Sequence, residues 1–463
     1  MAVSYQITRD PIPRLLTRLA LPASIGFFFN TMFNVIDTYW GGQISADALA
    51  ALSLSFPVYI VILAAGTGIG SGTNALIANA IGSGRSERAA RYQAQAVSLS
   101  LIVVFAVGIP LYLTLPAIFR FLNAEGELLE SALRYARVLV AGSPILVLNN
   151  VVNAGLTARG DTRSFRNFLI LGFLLNIGLD PLFMFGVSIG DVRIIPPMGE
   201  AGIALATVVI QGVGLVYLIN RSRIERTFEA CTPRQFIPNR EFFREIGGQG
   251  FPSAMNMMTM AVGTFVITFF ISRYGRDAVA AYGAAIRIEQ IALVPTIGLN
   301  IALATIVGQN NGAGLIDRVE QGYRTSLLMG AGVMVVVYTP VLIFARPLLS
   351  IFTENPDVIR IGLAYLYIEA ITFYSYVVMN QANSIMQGVK RPGMILWIAI
   401  YRQIAAPFVV FPLLTEVVGL GVNGVWWGLA VANWSAAIFS LWYARGCVRR
   451  ARERVRSAKP NPA

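Results

Sequence analysis

Two aspartates stand in stretches of the chain that are otherwise apolar enough for the interior of a lipid bilayer. Asp180 lies in the run FLLNIGLDPLFMFG, and Asp37 lies in the run FFFNTMFNVIDTYWGG. A carboxylate in the middle of a membrane helix costs roughly 2.5–3.5 kcal/mol, so membrane proteins that keep one commonly use it to carry a proton or an ion. Two carboxyl groups that meet in a low-dielectric medium cannot both ionise cheaply. The pair therefore predicts a proton or cation site.

Other polar side chains in the first half of the chain are expected at a similar depth: Asn150, Asn176 and Thr207. Asn176 and Asp180 are four residues apart, so they share one face of a helix. At 1.5 Å per residue, Asp37 lies about 28 Å beyond Arg18 and Asp180 about 21 Å beyond Arg166, the residues near which their helices are expected to start on the inner side. The amide and hydroxyl oxygens could complete a Na⁺ cage or a hydrogen-bond network. Alternatively, Asp37 marks a wetted helix end, Asp180 pairs structurally with another helix, and the asparagines join helices through hydrogen bonds.

Pro22 precedes Asp37 on the same predicted helix. A proline inside a helix removes one backbone hydrogen bond and bends the helix. A bend that responds to protonation of Asp37 would be a conformational switch, and a static kink is the alternative.

The second half of the chain carries its own charges about 10–12 residues into its predicted spans, near mid-bilayer at 1.5 Å per residue. They are Arg287, Glu289, Glu369 and Arg402. Two bases and two acids can neutralise one another in a structural ion-pair network; the functional alternative is a polar wall for a substrate or a second relay. The run PSAMNMMTMAV, with Asn256 and Met257, offers either an adaptable surface for varied ligands or ordinary core packing.

Several kinds of chemistry are missing from the sequence. The chain has no histidine, which excludes histidine proton relays and most transition-metal sites. It has no GxxxxGK[ST] phosphate loop, so ATP is not expected to drive it, and no serine nucleophile has a histidine base. Cys231 and Cys447 fall in predicted cytoplasmic segments, where thiols stay reduced. We expect a protein that is not an enzyme and needs no cofactor beyond a coupling ion.

The elements that must position these residues are membrane helices. Of the 463 residues, 56% are hydrophobic and 13% are charged, whereas soluble domains carry about 25% charged residues. Apolar segments of about 20 residues cross the hydrocarbon, and we predict twelve. Their ranges are 15–40, 52–80, 93–118, 131–158, 164–187, 201–220, 249–272, 279–308, 322–345, 358–386, 393–415 and 423–445. The predicted fold is an all-α integral membrane protein.

The net charge of +12 is distributed as expected for a membrane protein with both termini in the cytoplasm. Arginines and lysines concentrate in alternate loops, which follows the positive-inside rule. Examples on the predicted inner side are Arg85, Arg88, Arg163, Arg318 and Lys390. The lipid bilayer is therefore the expected partner of this basic chain, and nucleic acid is not.

The second half of the chain repeats the first at an offset of 230 residues. Leu21-Pro22 matches Phe251-Pro252, and the DALAA run at Asp47 matches the DAVAA run at Asp277. Six helices in each half return the chain to the same side, which predicts parallel topology with a pseudo-two-fold axis along the membrane normal. The predicted parts are a first lobe 1–220, a cytoplasmic linker 221–248, a second lobe 249–446 and a basic tail 447–463.

These features together resemble the multidrug and toxic compound extrusion (MATE) family. The resemblance rests on the two six-helix lobes, Pro22 and Asp37 on the first helix, and four sequence motifs. The motifs are ARGDTR (158–163), NIGLDPLF (176–183), AGIALAT (201–207) and VGQNNGAG (307–314). The resemblance implies antiport of organic, often cationic, compounds against H⁺ or Na⁺.

Within the family, the NorM-like branch uses acids on helices 7 and 10, and the predicted seventh span has no acid. The DinF-like branch uses acids on helices 1 and 5. Asp37, Asn150, Asn176, Asp180 and Thr207 match that branch, as does, more weakly, Tyr135. The resemblance therefore implies a DinF-like protein with proton coupling.

The sequence thus predicts a drug/H⁺ antiporter, monomeric, in the bacterial inner membrane. The alternatives are a Na⁺-coupled antiporter with the ion at Asp37, Asn176, Asp180 and Thr207, a lipid-linked oligosaccharide flippase, and a channel. A flippase would need a cationic cavity for pyrophosphate, for which only Arg287 and Arg402 lie deep in the predicted spans.

Overall fold

The fold is described from a computed structural model of the chain, over residues 6–189, 192–225 and 232–457. Cys231, the linker residues 226–231 and the tail residues 458–463, for which we made sequence predictions, lie outside the described residues. In the described part, twelve helices are long and apolar enough to cross a membrane. Each coincides with one predicted span, and only the spans 164–187 and 322–345 run past the end of their helix, at Phe185 and Ile343. The prediction of a twelve-helix, all-α membrane fold is confirmed.

The twelve helices follow one another, most of them with short connections. In chain order they are α1 Ile12–Ile44, α2 Ala46–Gly82, α3 Ser86–Phe121, α4 Gly126–Ala158, α5 Arg163–Phe185, α6 Glu200–Ile224, α7 Arg240–Ser272, α8 Arg276–Gly312, α9 Ile316–Ile343, α10 Pro356–Gly388, α11 Gly393–Val417 and α12 Val422–Ser457. Most extend several residues beyond the predicted apolar spans, because polar flanking residues continue the same helix. Residues 447–457 of the predicted tail, for example, belong to α12.

Few other elements are present in the described residues. An antiparallel hairpin of β1 Val187–Ile189 and β2 Val192–Ile195 joins α5 to α6. A short helix, Ala345–Ser350, follows α9, and a 3-10 turn, Pro233–Phe236, precedes α7. The described end of the linker is fixed to α3: Gln95 Nε2 donates to the Ile237 carbonyl at 2.7 Å, and the Asn239 amide donates to Gln95 Oε1 at 2.9 Å.

The chain packs as two compact units. The first contains Ile25–Ile81 and Arg85–Ala254; the second contains the described residues up to Ser24, Gly82–Gly84, and the chain from Met255 onward. The borders therefore fall inside α1 and α7, two residues after Pro22 and Pro252, and not at the polar linker. The start of α1 belongs to the second unit because Leu15, Leu16 and Leu19 are buried in a cluster with residues of α8, α9 and α10.

Small residues bring α7 against α2 in the first unit. A Cβ atom added at Gly250 would lie 2.3 Å from the Gly68 carbonyl oxygen, and one added at Gly68 would lie 2.6 Å from Ala254 Cβ. Only glycine permits such an approach, since a real Cβ does not fit at these distances. Small residues in membrane helices commonly serve this purpose.

The internal repeat appears as a second crossing of the same kind, inside the second unit. A Cβ atom added at Gly298 on α8 would lie 2.2 Å from Ser24 Oγ on α1, and Ser24 donates a hydrogen bond to the Pro295 carbonyl at 3.2 Å. The offset of 230 residues relates Gly298 to Gly68 and Ser24 to Ala254. One helix crossing is thus built twice from matching positions.

Candidate functional site

Asp37 and Asn176 form a buried contact between α1 and α5. Asn176 Nδ2 donates a hydrogen bond to Asp37 Oδ1 at 2.9 Å. Asp37 is 8% exposed and Asn176 is fully buried. Asp37 is therefore not a solvated helix end within the protein: one of its oxygens has a fixed amide donor on another helix.

Asp180 lies one turn beyond Asn176 on α5 and is also fully buried. Its carboxyl group is close enough to that of Asp37 for a hydrogen bond between the two. Two ionised carboxylates cannot form such a bond, because neither carries a hydrogen. In the described part of the chain no N–H or O–H group donates to either oxygen of Asp180. A shared proton or a bound cation would satisfy these oxygens.

Thr207 brings a third helix to the pair. It is 7% exposed, lies within hydrogen-bonding range of Asp37, and donates its own hydroxyl hydrogen to the Ile203 carbonyl at 3.2 Å. The glycine of the AGIALAT motif sets this position, since a Cβ at Gly202 would lie 2.6 Å from the Phe183 carbonyl carbon. Close packing of α6 on the end of α5 places Thr207 beside the carboxyl groups, with its oxygen available as an acceptor.

Two tyrosines complete the surroundings of Asp37. Tyr135 on α4, a predicted site residue, is half-buried and interacts electrostatically with both carboxyl groups. Tyr59 on α2 interacts electrostatically with Asp37, although it is not among the residues predicted from the sequence. A single tyrosine in an apolar span is typical of ordinary packing, so nothing in the sequence distinguished it.

Asn150 is the predicted site residue that the structure does not bring to the pair. Its Nδ2 donates to the Leu146 carbonyl of its own helix at 3.1 Å, and a Cβ at Gly66 on α2 would lie 3.1 Å from that nitrogen. Among the described residues, no hydrogen bond joins Asn150 to α1 or α5. Its contacts fit the alternative interpretation, helix packing of α4 on α2.

The charged residues predicted in the second half do not all meet. Glu289 and Glu369 are 6% and 1% exposed and lie near Arg402. Arg287 instead is exposed, with its guanidinium carbon 5.8 Å from the centre of the Phe352 ring. Side chains two positions apart on a helix point to nearly opposite sides, and this separates Arg287 from Glu289. The described contacts therefore place Arg402, but not Arg287, with the two acids.

The methionine-rich segment of α7 is partly exposed. Asn256 and Met257 are half-buried, and Met258 and Met260 are 37% and 50% exposed. In the described part of the chain the Asn256 side chain forms no hydrogen bond. This face is available to lipid or to a ligand, and its role in substrate binding stays a prediction.

Comparison with known proteins gives consistent matches over most of the chain. The MatE family model matches residues 22–182 and 252–411, one match for each half of the repeat. A FAD transporter of Shewanella oneidensis is 30% identical over 357 residues, which are 76% of each chain. "Probable multidrug resistance protein NorM" of Thermotoga maritima is 28% identical and covers 91% of this chain and 90% of its own.

Among solved structures, one match is the outward-facing conformation of a multidrug resistance MATE family transporter of the MOP superfamily. It has a TM-score of 0.89 and 27% identity, and covers 98% of this chain and 99% of its own.

Proposed function

Because the chain belongs to the MatE family, we propose that it is a bacterial membrane antiporter that exports small organic compounds in exchange for protons. Multidrug efflux and the absence of an enzymatic activity follow from the family and from relatives such as the NorM protein. Proton coupling is our own inference. It rests on one observation above all: the buried pair of Asp37 and Asp180, held together by Asn176.

The hydrogen bonds suggest where the proton resides. Asn176 donates to Asp37 Oδ1, and a donor stabilises the ionised form of a carboxyl group. Asp180 has no such donor in the described part of the chain, so it is the better carrier of the proton. Asp180 would then donate to Asp37 and complete the link from α5 to α1.

Loss of this proton would drive a conformational change at the pair. Without it, two carboxylates would face each other at hydrogen-bonding range in a buried site, which is strongly unfavourable. The pair must then separate, admit water or take up a cation. We infer that α1 and α5 move relative to each other when the proton leaves, and that Pro22 lets α1 bend during this movement.

Sodium coupling is the second candidate, and a specific observation favours it. Asn176 Oδ1 and both Asp180 oxygens receive no hydrogen bond from the described residues. Together with Asp37 and Thr207 they offer the oxygen donors that a hard cation prefers. A branch assignment to the DinF-like proteins is compatible with either ion.

The substrates are proposed from the relatives. The first class is varied organic compounds, which are often cationic. The second class is flavin dinucleotides, since one relative is a FAD transporter. Counterflow measured in vesicles, once with a fluorescent cationic dye and once with FAD, compares the two substrate classes directly.

The coupling ion is tested by substrate-induced proton release from purified protein, with and without sodium. We expect dye binding to release protons from the wild type in sodium-free buffer, and no release from D37N or D180N. D47N, which changes an exposed acid at the start of α2, is the matched control and should behave as wild type. Release that requires sodium would favour the second candidate, and normal release from both variants would reject the assignment.

A further inference from the structure

A second buried acidic cluster lies in the second unit, apart from the proposed coupling site. Glu289 on α8 and Glu369 on α10 are near enough for strong electrostatic interaction, and both are almost fully buried. The Tyr365 hydroxyl donates a hydrogen bond to Glu289 Oε2. Tyr376, one further α10 residue, has its hydroxyl beside both carboxyl groups. The cluster is not the repeat counterpart of the coupling site, because the repeat relates Asp37 to Ile267, which carries no acid.

One cation, Arg402, belongs to this cluster. Its guanidinium carbon lies 5.6 Å from the centre of the Tyr376 ring, and it interacts electrostatically with both glutamates. Its Nη1 donates to Asn433 Oδ1 at 3.0 Å, and Asn433 Nδ2 donates to the Tyr376 hydroxyl at 3.2 Å. Arg402 stands in a π-helical turn of α11, Tyr401–Ala405. Such turns are frequent at functional sites.

The cluster lacks one positive charge. Among the described residues, neither glutamate has a basic nitrogen within 4.0 Å, and Glu369 Oε1 is buried without any hydrogen-bond partner. Two ionised glutamates and one guanidinium would carry a net charge of minus one, which is costly at a buried site inside a membrane helix bundle. We infer that this cluster is a second ion-binding site, which takes one proton on Glu369.

The hydrogen bonds distinguish the two glutamates. Tyr365 donates to Glu289, which stabilises its ionised form, whereas Glu369 Oε1 receives no donor. The proton therefore belongs on Glu369, which can then donate a hydrogen bond of its own. Ionised Glu289 faces Arg402, and the cluster becomes neutral.

A proton fits this cluster better than an alkali cation. Arg402 already places a positive charge beside the carboxyl groups, and it would repel a second cation. The other titratable groups that face the pair are Tyr282 on α8 and Tyr338 on α9; both are neutral phenols at physiological pH. Arg287 is exposed and does not contribute to the balance.

Infrared spectroscopy of the purified protein tests the site, because a protonated carboxyl group has a carbonyl band that a carboxylate lacks. At neutral pH we expect E369Q to lose one such band. E289Q should lose it as well, because Glu369 and Arg402 then balance each other. R402Q should gain one band, since two glutamates without a cation need two protons, and R402K should match the wild type.

The controls separate this site from the coupling site. E416Q changes an exposed acid of the same unit, whose side chain is 62% exposed, and should leave the spectrum unchanged. The double variant D37N/D180N should keep the Glu369 band whether or not the proposed coupling mechanism holds. A gain in R402Q does not arise from unfolding, because carboxyl groups in water are ionised at neutral pH.

Three results would overturn the inference. They are an unchanged band in E369Q, no gain in R402Q, and disappearance of the Glu369 band from the D37N/D180N variant when sodium replaces choline in the buffer. The last would identify an alkali cation as the occupant in place of the proton.

Discussion

Asn176 on α5 donates a hydrogen bond to Asp37 on α1, between residues that are 139 positions apart in the chain. Asp180, one turn further along α5, faces the same carboxyl group. A single helix face thus supplies both the donor that fixes Asp37 and a second buried acid beside it. In the proposed mechanism, protonation of this pair is connected to the relative position of the two helices.

The hydrogen bond itself is testable by N176A. Removal of the amide leaves Asp37 buried without its donor, which costs about 1–3 kcal/mol, so we expect a lower melting temperature in detergent and slower dye efflux. N167A, at an exposed position of the same helix, is the matched control. Efflux and melting of N176A equal to those of N167A would contradict a role for this bond.

The close crossing of α7 on α2 predicts opposite outcomes for two nearby glycines. In G250A the new methyl group would meet the Gly68 backbone at 2.3 Å, so the helices must move apart. We expect a lower melting temperature and reduced transport. In G248A nothing lies within 4 Å of the added atom, and alanine favours helix over glycine by about 0.5–1 kcal/mol. Equal melting temperatures for the two variants would refute the close approach.

A polar contact joins α3 to α7 near the linker. Arg88 Nη2 lies 3.1 Å from Glu245 Oε1, and Tyr92 donates its hydroxyl to the same glutamate. Because the side chains of Arg88 and Glu245 are about one-third exposed, E245Q should cost about 1 kcal/mol or less, and the effect should shrink in high salt. Thermal melting at two salt concentrations measures both.

E241Q is the natural comparison for that variant. Glu241 is 67% exposed and lies 3.6 Å from the same guanidinium, so its loss should matter less. The interpretation fails if E241Q destabilises the protein as much as E245Q does.

Cys447 reports on the continuation of α12 beyond the predicted span. Its thiol is free and fully buried in the second unit. In a C231S background, we expect maleimide to label Cys447 slowly in the folded protein and rapidly after denaturation. S457C, at an exposed position near the end of α12, should label rapidly in the folded state. Rapid native labelling of Cys447 would show that residues 447–457 do not pack as a buried helix.

The sequence by itself determined the number and type of the elements. Length and hydrophobicity are local properties, so twelve apolar segments of sufficient length specify twelve membrane helices. The residue types of Asp37, Asn176, Asp180 and Thr207 identified a candidate ion site for the same reason. Carboxyl groups in apolar segments are costly wherever the helices pack.

Only the tertiary structure decided which side chains meet. It brought Tyr59 to Asp37, left Asn150 in a packing contact, and placed Arg287 away from Glu289. It also assigned the start of α1 to the second unit. In a membrane, the face of a helix that contacts lipid is as apolar as the face that contacts other helices. Helix rotation and crossing are therefore not readable from the hydrophobic pattern, and they are what bring a carboxyl group to its partner.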